Sequence, residues 1–255
     1  MRVAVILKAV PDLVEEMELN DDGTDLDREY LKFVSNEWDE QALEEALLLK
    51  DSDGVEVTAV GLADDQDIEQ ALYTALAKGA DAAVAVDGAA GIDTRSRAAA
   101  LAEWLSGQQF DLVLTGVQAP DDLDGQLPSA LAAALGWPHV SVVVSVGVSG
   151  GTATVRQEFA AGRAADHEVT LPAVIGVQVA RQAPRYAPVT RVRQVMQAGG
   201  LGTGSVSPAA ADSGLKVRRM YPPETSSHAE MLEGSPEDVA AKIVELLRSR
   251  GLVKG

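Results

Sequence analysis

The sequence contains no cysteine, which excludes disulfides, thiolate metal sites and a cysteine nucleophile. Aromatic residues make up only 4%, so a core must be built mainly from alanine and valine, whose small side chains let helices approach a sheet closely. Basic residues are few, 21 against 39 acidic ones, for a net charge of −18. That balance excludes nucleic acid and anionic membrane as partners, because both need clustered Lys and Arg. A basic partner surface would suit the charge, and so would a role in solubility alone. No stretch approaches the ~20 apolar residues of a membrane-spanning helix. The apolar run at residues 1–8 is too short for a signal peptide before Pro11 and the acids after it. A cytoplasmic protein that is not membrane-embedded is expected. Hydrolytic signatures are missing too: no GxSxG, Walker A or GxGxxG stands at a strand–helix junction. The three histidines, His139, His167 and His228, have no metal-ligand spacing. The acid run at 21–27 lacks the spacing of a calcium loop.

What is present alternates. With 255 residues, 46% of them hydrophobic, the chain has room for one large α/β domain plus an extension, or for two small domains. Short apolar runs at 2–7, 55–61, 82–86 and 112–116 read as buried strands. Between and after them, helical spacing marks 36–50, 64–78, 94–106 and 128–136, while 12–32 is an acidic excursion without a period. Strands separated by helices of this length imply parallel βαβ units. After Pro138 the pattern turns β-rich, at 140–148, 152–159, 168–170 and 173–179, with a hairpin signal at Ser149-Gly150-Gly151. The fold class expected is α/β: a doubly wound, mostly parallel sheet with antiparallel edge strands and a C-terminal extension. Residues 1–184 form the α/β domain in this reading. Residues 185–255 supply a partner-recognition segment, a Gly/Ala/Ser-rich linker at 198–215 and a final helix opened by Ser235-Pro236-Glu237-Asp238. A lone helix behind a linker must pack on its own domain or on a partner chain to persist.

In an open α/β sheet, ligands bind outside the carboxyl ends of the strands. The loop after the fourth strand runs Val117, Gln118, Ala119, Pro120, Asp121, Asp122, Leu123, Asp124, Gly125, Gln126, Leu127 and Pro128 into a helix start. Backbone N–H groups there can hold a phosphate, or the acids can simply be solvated beside a capped helix. In the loop before the first helix, Trp38 could shield a ligand ring or act as a hydrophobic staple, with Asn36 or Asp39 as the cap.

Several segments together resemble the electron-transfer flavoprotein β family. They are Val5-Ile6-Leu7-Lys8-Ala9-Val10, Asn36-Glu37-Trp38-Asp39 followed by Ala42-Leu43-Glu44-Glu45-Ala46, and Ala75-Leu76-Ala77-Lys78-Gly79-Ala80-Asp81. Gly116-Val117-Gln118-Ala119 with Asp121-Asp122 and Gln126, Trp137-Pro138, Leu171-Pro172-Ala173-Val174 and Pro184-Arg185-Tyr186-Ala187 complete the set. They fall in the family's order over most of residues 1–190. The resemblance implies a heterodimer in which an α subunit carries most contacts to a redox-active FAD. The β chain would bind AMP, or less readily a second FAD, through Ile6, Asn36, Glu37, Trp38, Asp39, Leu62 and the loop from Val117 to Pro128. Electrons would arrive from a flavin dehydrogenase and leave to a quinone reductase or other acceptor, with no catalysis by the β chain itself. Many members have threonine in the loop where Leu127 stands, and Pro128 has no N–H. The family's partner-recognition leucine falls at Val189, and Arg218-Arg219-Met220-Tyr221 resembles members that serve amine dehydrogenases. Two rivals remain: a stand-alone adenine-nucleotide regulator of stress-protein type, and an adenine-nucleotide hydrolase, which would need a metal or a general base in the loop, with Asp121, Asp122 and Asp124 as the candidates.

Overall fold

A computed structural model describes residues 1–29, 31–87, 93–122, 124–207, 217–222 and 231–253. Two compact units divide the chain, Met1–Arg218 and Arg219–Gly255. The first strand, β1 (Arg2–Ile6), is apolar on both faces, so both faces must be covered. Val3 and Val5 face α1 (Glu37–Asp53) and α2 (Ile68–Lys78), while Ala4 and Ile6 face α3 (Thr94–Ser106) and α4 (Leu127–Leu135). Fully buried alanines, Ala42, Ala46 and Ala75, let α1 and α2 lie close to the sheet. This is the doubly wound arrangement expected.

β4 (Glu56–Leu62) and β5 (Ala82–Asp87) extend the sheet to one side of β1, and β6 (Leu112–Gly116) pairs with the other side. The pairings are parallel, with Val3 level with both Val57 and Leu112. The winding direction therefore reverses between β1 and β6, where the carboxyl ends part and a crevice forms. A short antiparallel pair, β2 (Ala9–Pro11) with β3 (Phe33–Ser35), closes the excursion between β1 and α1.

Beyond β6 the structure departs from the expectation in two places. β7 (His139–Ser149), β8 (Thr152–Phe159) and β9 (Arg163–Thr170) form the far edge, where only β8 runs antiparallel to the rest. β10 (Ala173–Val177), expected at an antiparallel edge, instead sits between β6 and β7 and is parallel to both. The reason is its composition: all five residues are apolar or glycine and all are buried, so an edge would waste them. The second departure is at the glycine-rich stretch expected as linker. Leu201–Ser205 forms β11, parallel to β5 at the opposite edge, reached through α5 (Val189–Ala198). Gly204 is a packing residue there, since an added Cβ would run into the Trp104 ring. The rest of that stretch, 208–216, lies outside the described residues. The second helix is also shorter than expected, because residues 64–67 form turns, with Ile68 N–H donating to the Asp65 carbonyl, and leave the Asp65 carboxylate free to pair elsewhere.

The second unit contains α6 (Pro236–Ser249), opened by a capping box between Ser235 and Asp238 as its sequence implied. None of its residues is buried. Among the described residues no helix is long and apolar enough to cross a membrane.

α1 enters the fold directly over the last residue of β6. A Cβ on Gly116 would lie 2.8 Å from the Asp39 backbone nitrogen and 2.7 Å from the Trp38 Cβ. Gly116→Ala is expected to lower the stability by about 1–3 kcal/mol, as overpacking against backbone does, read from the urea unfolding midpoint; an unchanged midpoint would show that α1 shifts freely.

Candidate functional site

The crevice between β1 and β6 is organised by one carboxylate. Asp39, in the first turn of α1, accepts the Lys8 N–H through Oδ2 at 2.9 Å and the Gly116 N–H through Oδ1 at 3.0 Å. Those two amides stand just beyond the end of β1 and at the end of β6, so the side chain ties the diverging strands together. The sequence offers Asn36 or Asp39 as the cap of α1. The structure corrects this: Asn36 is the N-cap residue by position, yet no side chain caps α1. The strand ends take the carboxylate because their N–H groups have no ladder partner once β1 and β6 part. Burial pushes the Asp39 carboxyl up to about 7, against the hydrogen bonds from Asn36, Gly116 and Lys8.

Around it the polar groups form a connected set. The buried Lys8 ammonium lies 2.6 Å from Asp121 Oδ1. Asn36 donates its side-chain N–H to the Gln118 carbonyl at 2.9 Å, holding the start of the loop after β6. Asp122 N–H donates to the Ala119 carbonyl at 3.0 Å, which folds that loop into a turn. Thr94, at the start of α3, donates to Asp122 Oδ2 at 3.3 Å. Burial raises the Asp122 carboxyl; Asp124 and Asp121 add to this, while Lys8 and Thr94 oppose it. Arg97 pairs with Asp65, with Nη1 2.7 Å from Oδ2. Burial works against the Arg97 charge, yet Asp65, Asp121 and Asp122 hold its pKa above the ordinary value.

Two atoms in this set stand out. Asn36 Oδ1 and Asp122 Oδ1 are buried and accept no hydrogen bond. An orphaned buried acceptor costs ~1–3 kcal/mol, so a pair of them in one crevice favours a ligand that donates. Close by, α4 starts without a side-chain cap at Gln126, and Pro128 contributes no N–H in its first turn. The first-turn N–H groups of Leu127 and Ser129 are left as anion donors. Unpartnered acceptors together with an uncapped helix start suit a ligand that has both amino or hydroxyl groups and a negative charge.

Most of the residues singled out from sequence meet here. Ile6 and Leu62 end β1 and β4 and are buried. Asn36, Trp38 and Asp39 start α1; Glu37 lies beside them but is exposed. Val117, Gln118, Ala119, Pro120, Asp121 and Asp122 follow β6, and Gly125 adopts a positive φ of 59° with Gln126, Leu127 and Pro128 opening α4. Asp124 is exposed, and Leu123 lies outside the described residues. Val189 is elsewhere: it begins α5, which packs on α2 through Val192, Ala187 and Ala77. Sequence reasoning missed Lys8, Asp65, Thr94 and Arg97 as members of the site. Lys8 carried a signal, a lone cation ending an apolar strand. The sequence pattern places Asp65 at a helix start.

A family model for the electron transfer flavoprotein domain matches residues 24–201. A protein of Methylophilus methylotrophus, named electron transfer flavoprotein subunit beta, is 34% identical over 260 residues, covering 97% of this chain and 98% of its own. One of the same name from Syntrophomonas wolfei is 35% identical over 251 residues, covering 98% and 96%. A third from Bacillus subtilis is 28% identical over 265 residues, covering 99% and 100%.

The raised Asp39 pKa carries a sign. A carboxyl that holds its proton more tightly folded than unfolded contributes stability below its ordinary value near 4, and that contribution is lost as pH rises to about 7. Asp39→Asn should remove this slope, of order ~1 kcal/mol per pH unit at most, from urea midpoints measured between pH 4 and 7. A slope that survives the substitution would assign it to other groups.

Proposed function

The chain belongs to the electron transfer flavoprotein β-subunit family, and from that premise we propose that it holds one AMP at the carboxyl ends of β1, β4 and β6 beside a flavin-bearing α subunit. Family membership makes it an electron-transfer subunit and implies the α subunit as its companion. The observation that carries the AMP reading is the pair of orphaned acceptors, Asn36 Oδ1 and Asp122 Oδ1. Adenosine offers amino and hydroxyl donors to such atoms, and its single phosphate suits the open N–H groups at the start of α4. Asp121, Asp122 and Asp124 crowd one loop, and Lys8 neutralises only the first by direct contact. That field favours one phosphate over the two of a second FAD.

The redox-active FAD belongs mainly to the α subunit in this reading, as membership of the family implies. When bound, the flavin supplies the electron-accepting and electron-donating chemistry. This chain's residues orient and exclude water, and they perform no catalysis of their own. Electrons come from a flavin dehydrogenase and go to a quinone reductase or another acceptor. Partner contact falls to exposed apolar side chains after residue 185: Val189 is 58% exposed on α5, and α6 keeps Ile243, Val244 and Leu246 exposed.

Two measurements check this. Denaturing the purified complex should release one FAD and one AMP per heterodimer, while two FAD would overturn the assignment. Val189→Ala should slow flavin reduction by the dehydrogenase about tenfold, the scale of one anchoring contact, with flavin content unchanged. An unaltered rate would remove Val189 from docking.

A further inference from the structure

The segment between β10 and α5 has no regular structure, and no backbone–backbone hydrogen bond holds residues 179–187. Side chains of α1 take the place of a ladder. Gln41 Oε1 accepts the Ala180 N–H at 3.0 Å. Glu45 accepts the Arg181 N–H at 3.1 Å and its Nε at 2.8 Å. Glu44 accepts the Arg185 N–H at 2.8 Å and both Nε, at 3.1 Å, and Nη2, at 2.9 Å. Positions 41, 44 and 45 share one helical face, so a single rigid element grips the strap at three points.

Glu44 and Glu45 are buried, with 4% and 0% of their side chains exposed. Buried ion pairs are poor stabilisers, since desolvation offsets the attraction and apolar residues of similar size often serve as well. What carboxylates offer that apolar residues cannot is a fixed address for N–H groups. Here the addressed groups lie just upstream of the exposed docking surface. Tyr186, next after Arg185, is 81% exposed, and Val189 follows three residues later.

We propose that Glu44 is a positioning residue for electron transfer, assisted by Glu45: by gripping Arg185 it sets the placement of Tyr186 and Val189 toward the redox partner. The inference rests on the docking role given to Val189 above. Glu44 is the cleaner of the two to test, because Glu45 also accepts the Val146 N–H of β7 at 2.7 Å and so belongs to the sheet as well. α5 itself stays anchored on α2, where the Arg191 Nε donates to the Ala77 carbonyl at 3.1 Å. Asp51, also on α1, keeps its contact with Arg185 Nη2 at 2.8 Å, so loss of Glu44 should release the Arg185 backbone N–H and Nε and loosen the strap without unfolding the domain.

The test uses the complex with the α subunit carrying Glu44→Gln, in parallel with Val189→Ala. Bound FAD, bound nucleotide and the rate of reduction by dithionite, which needs no docking, should match the parent. Amide hydrogen exchange at residues 181–187 should quicken, and the KM of the flavin dehydrogenase for the complex should rise about tenfold, the cost of one charge-assisted hydrogen bond, with kcat unchanged. If Val189→Ala raises KM and Glu44→Gln leaves both KM and exchange as in the parent, the positioning role is overturned while the docking surface stands. If Val189→Ala leaves KM unchanged, the docking surface fails and the inference falls with it.

Discussion

The structure depends on one carboxylate placed where a parallel sheet has to open. A doubly wound sheet must reverse its winding somewhere, and at that point the strand ends separate and their N–H groups lose their partners. Asp39 answers both needs by receiving the Lys8 and Gly116 amides on its two oxygens. Its position in the first turn of α1 fixes where that helix enters, and Gly116 must lack a side chain because the helix backbone sits on it. The crevice, the loop after β6 and the direction of α1 follow from that contact. The burial that makes the contact specific also raises the carboxyl to about 7.

The same helix shows how an acidic protein uses its charge. Three carboxylates of α1, those of Asp39, Glu44 and Glu45, are buried, and all three accept backbone N–H groups from segments distant in sequence. Each supplies an acceptor to an N–H that no backbone carbonyl serves. A carboxylate is suited to this because it accepts through two oxygens and binds donors more strongly than a neutral amide does. Much of the remaining acid stays at the surface, where a net charge well away from zero opposes self-association. The crevice between β1 and β6 and the strap before α5 are thus organised by different stretches of one element.

Where sequence pattern and structure disagree, a tertiary demand overrode a local signal. The run at 173–177 looked like an edge strand because it follows a hairpin in the chain, but its buried apolar faces drew it to the middle of the sheet, between β6 and β7. The glycine-rich stretch at 199–204 looked like a linker because glycine weakens strands. It pairs with β5 all the same, and glycine is required at 204 because the Trp104 ring leaves no room for a Cβ there. The turns at 64–67 displaced the start of α2 so that Asp65 could reach the otherwise costly buried charge of Arg97.

By itself the sequence determined the alternation of strands and helices, the parallel pairing that alternation requires, and the boundaries of α3 and β6. These are consequences of hydrophobic period and chain reach, which neighbours in sequence express. Membership of the electron transfer flavoprotein family was also legible, in the ordered motifs from Val5 to Ala187. Only the tertiary structure decided that Asp39 serves two strands rather than its own helix, that Lys8 answers Asp121 across 113 residues, and that Asn36 and Asp122 each keep an acceptor free. Such facts depend on which groups are left without a partner after the sheet has closed, and no local pattern in the chain records that remainder.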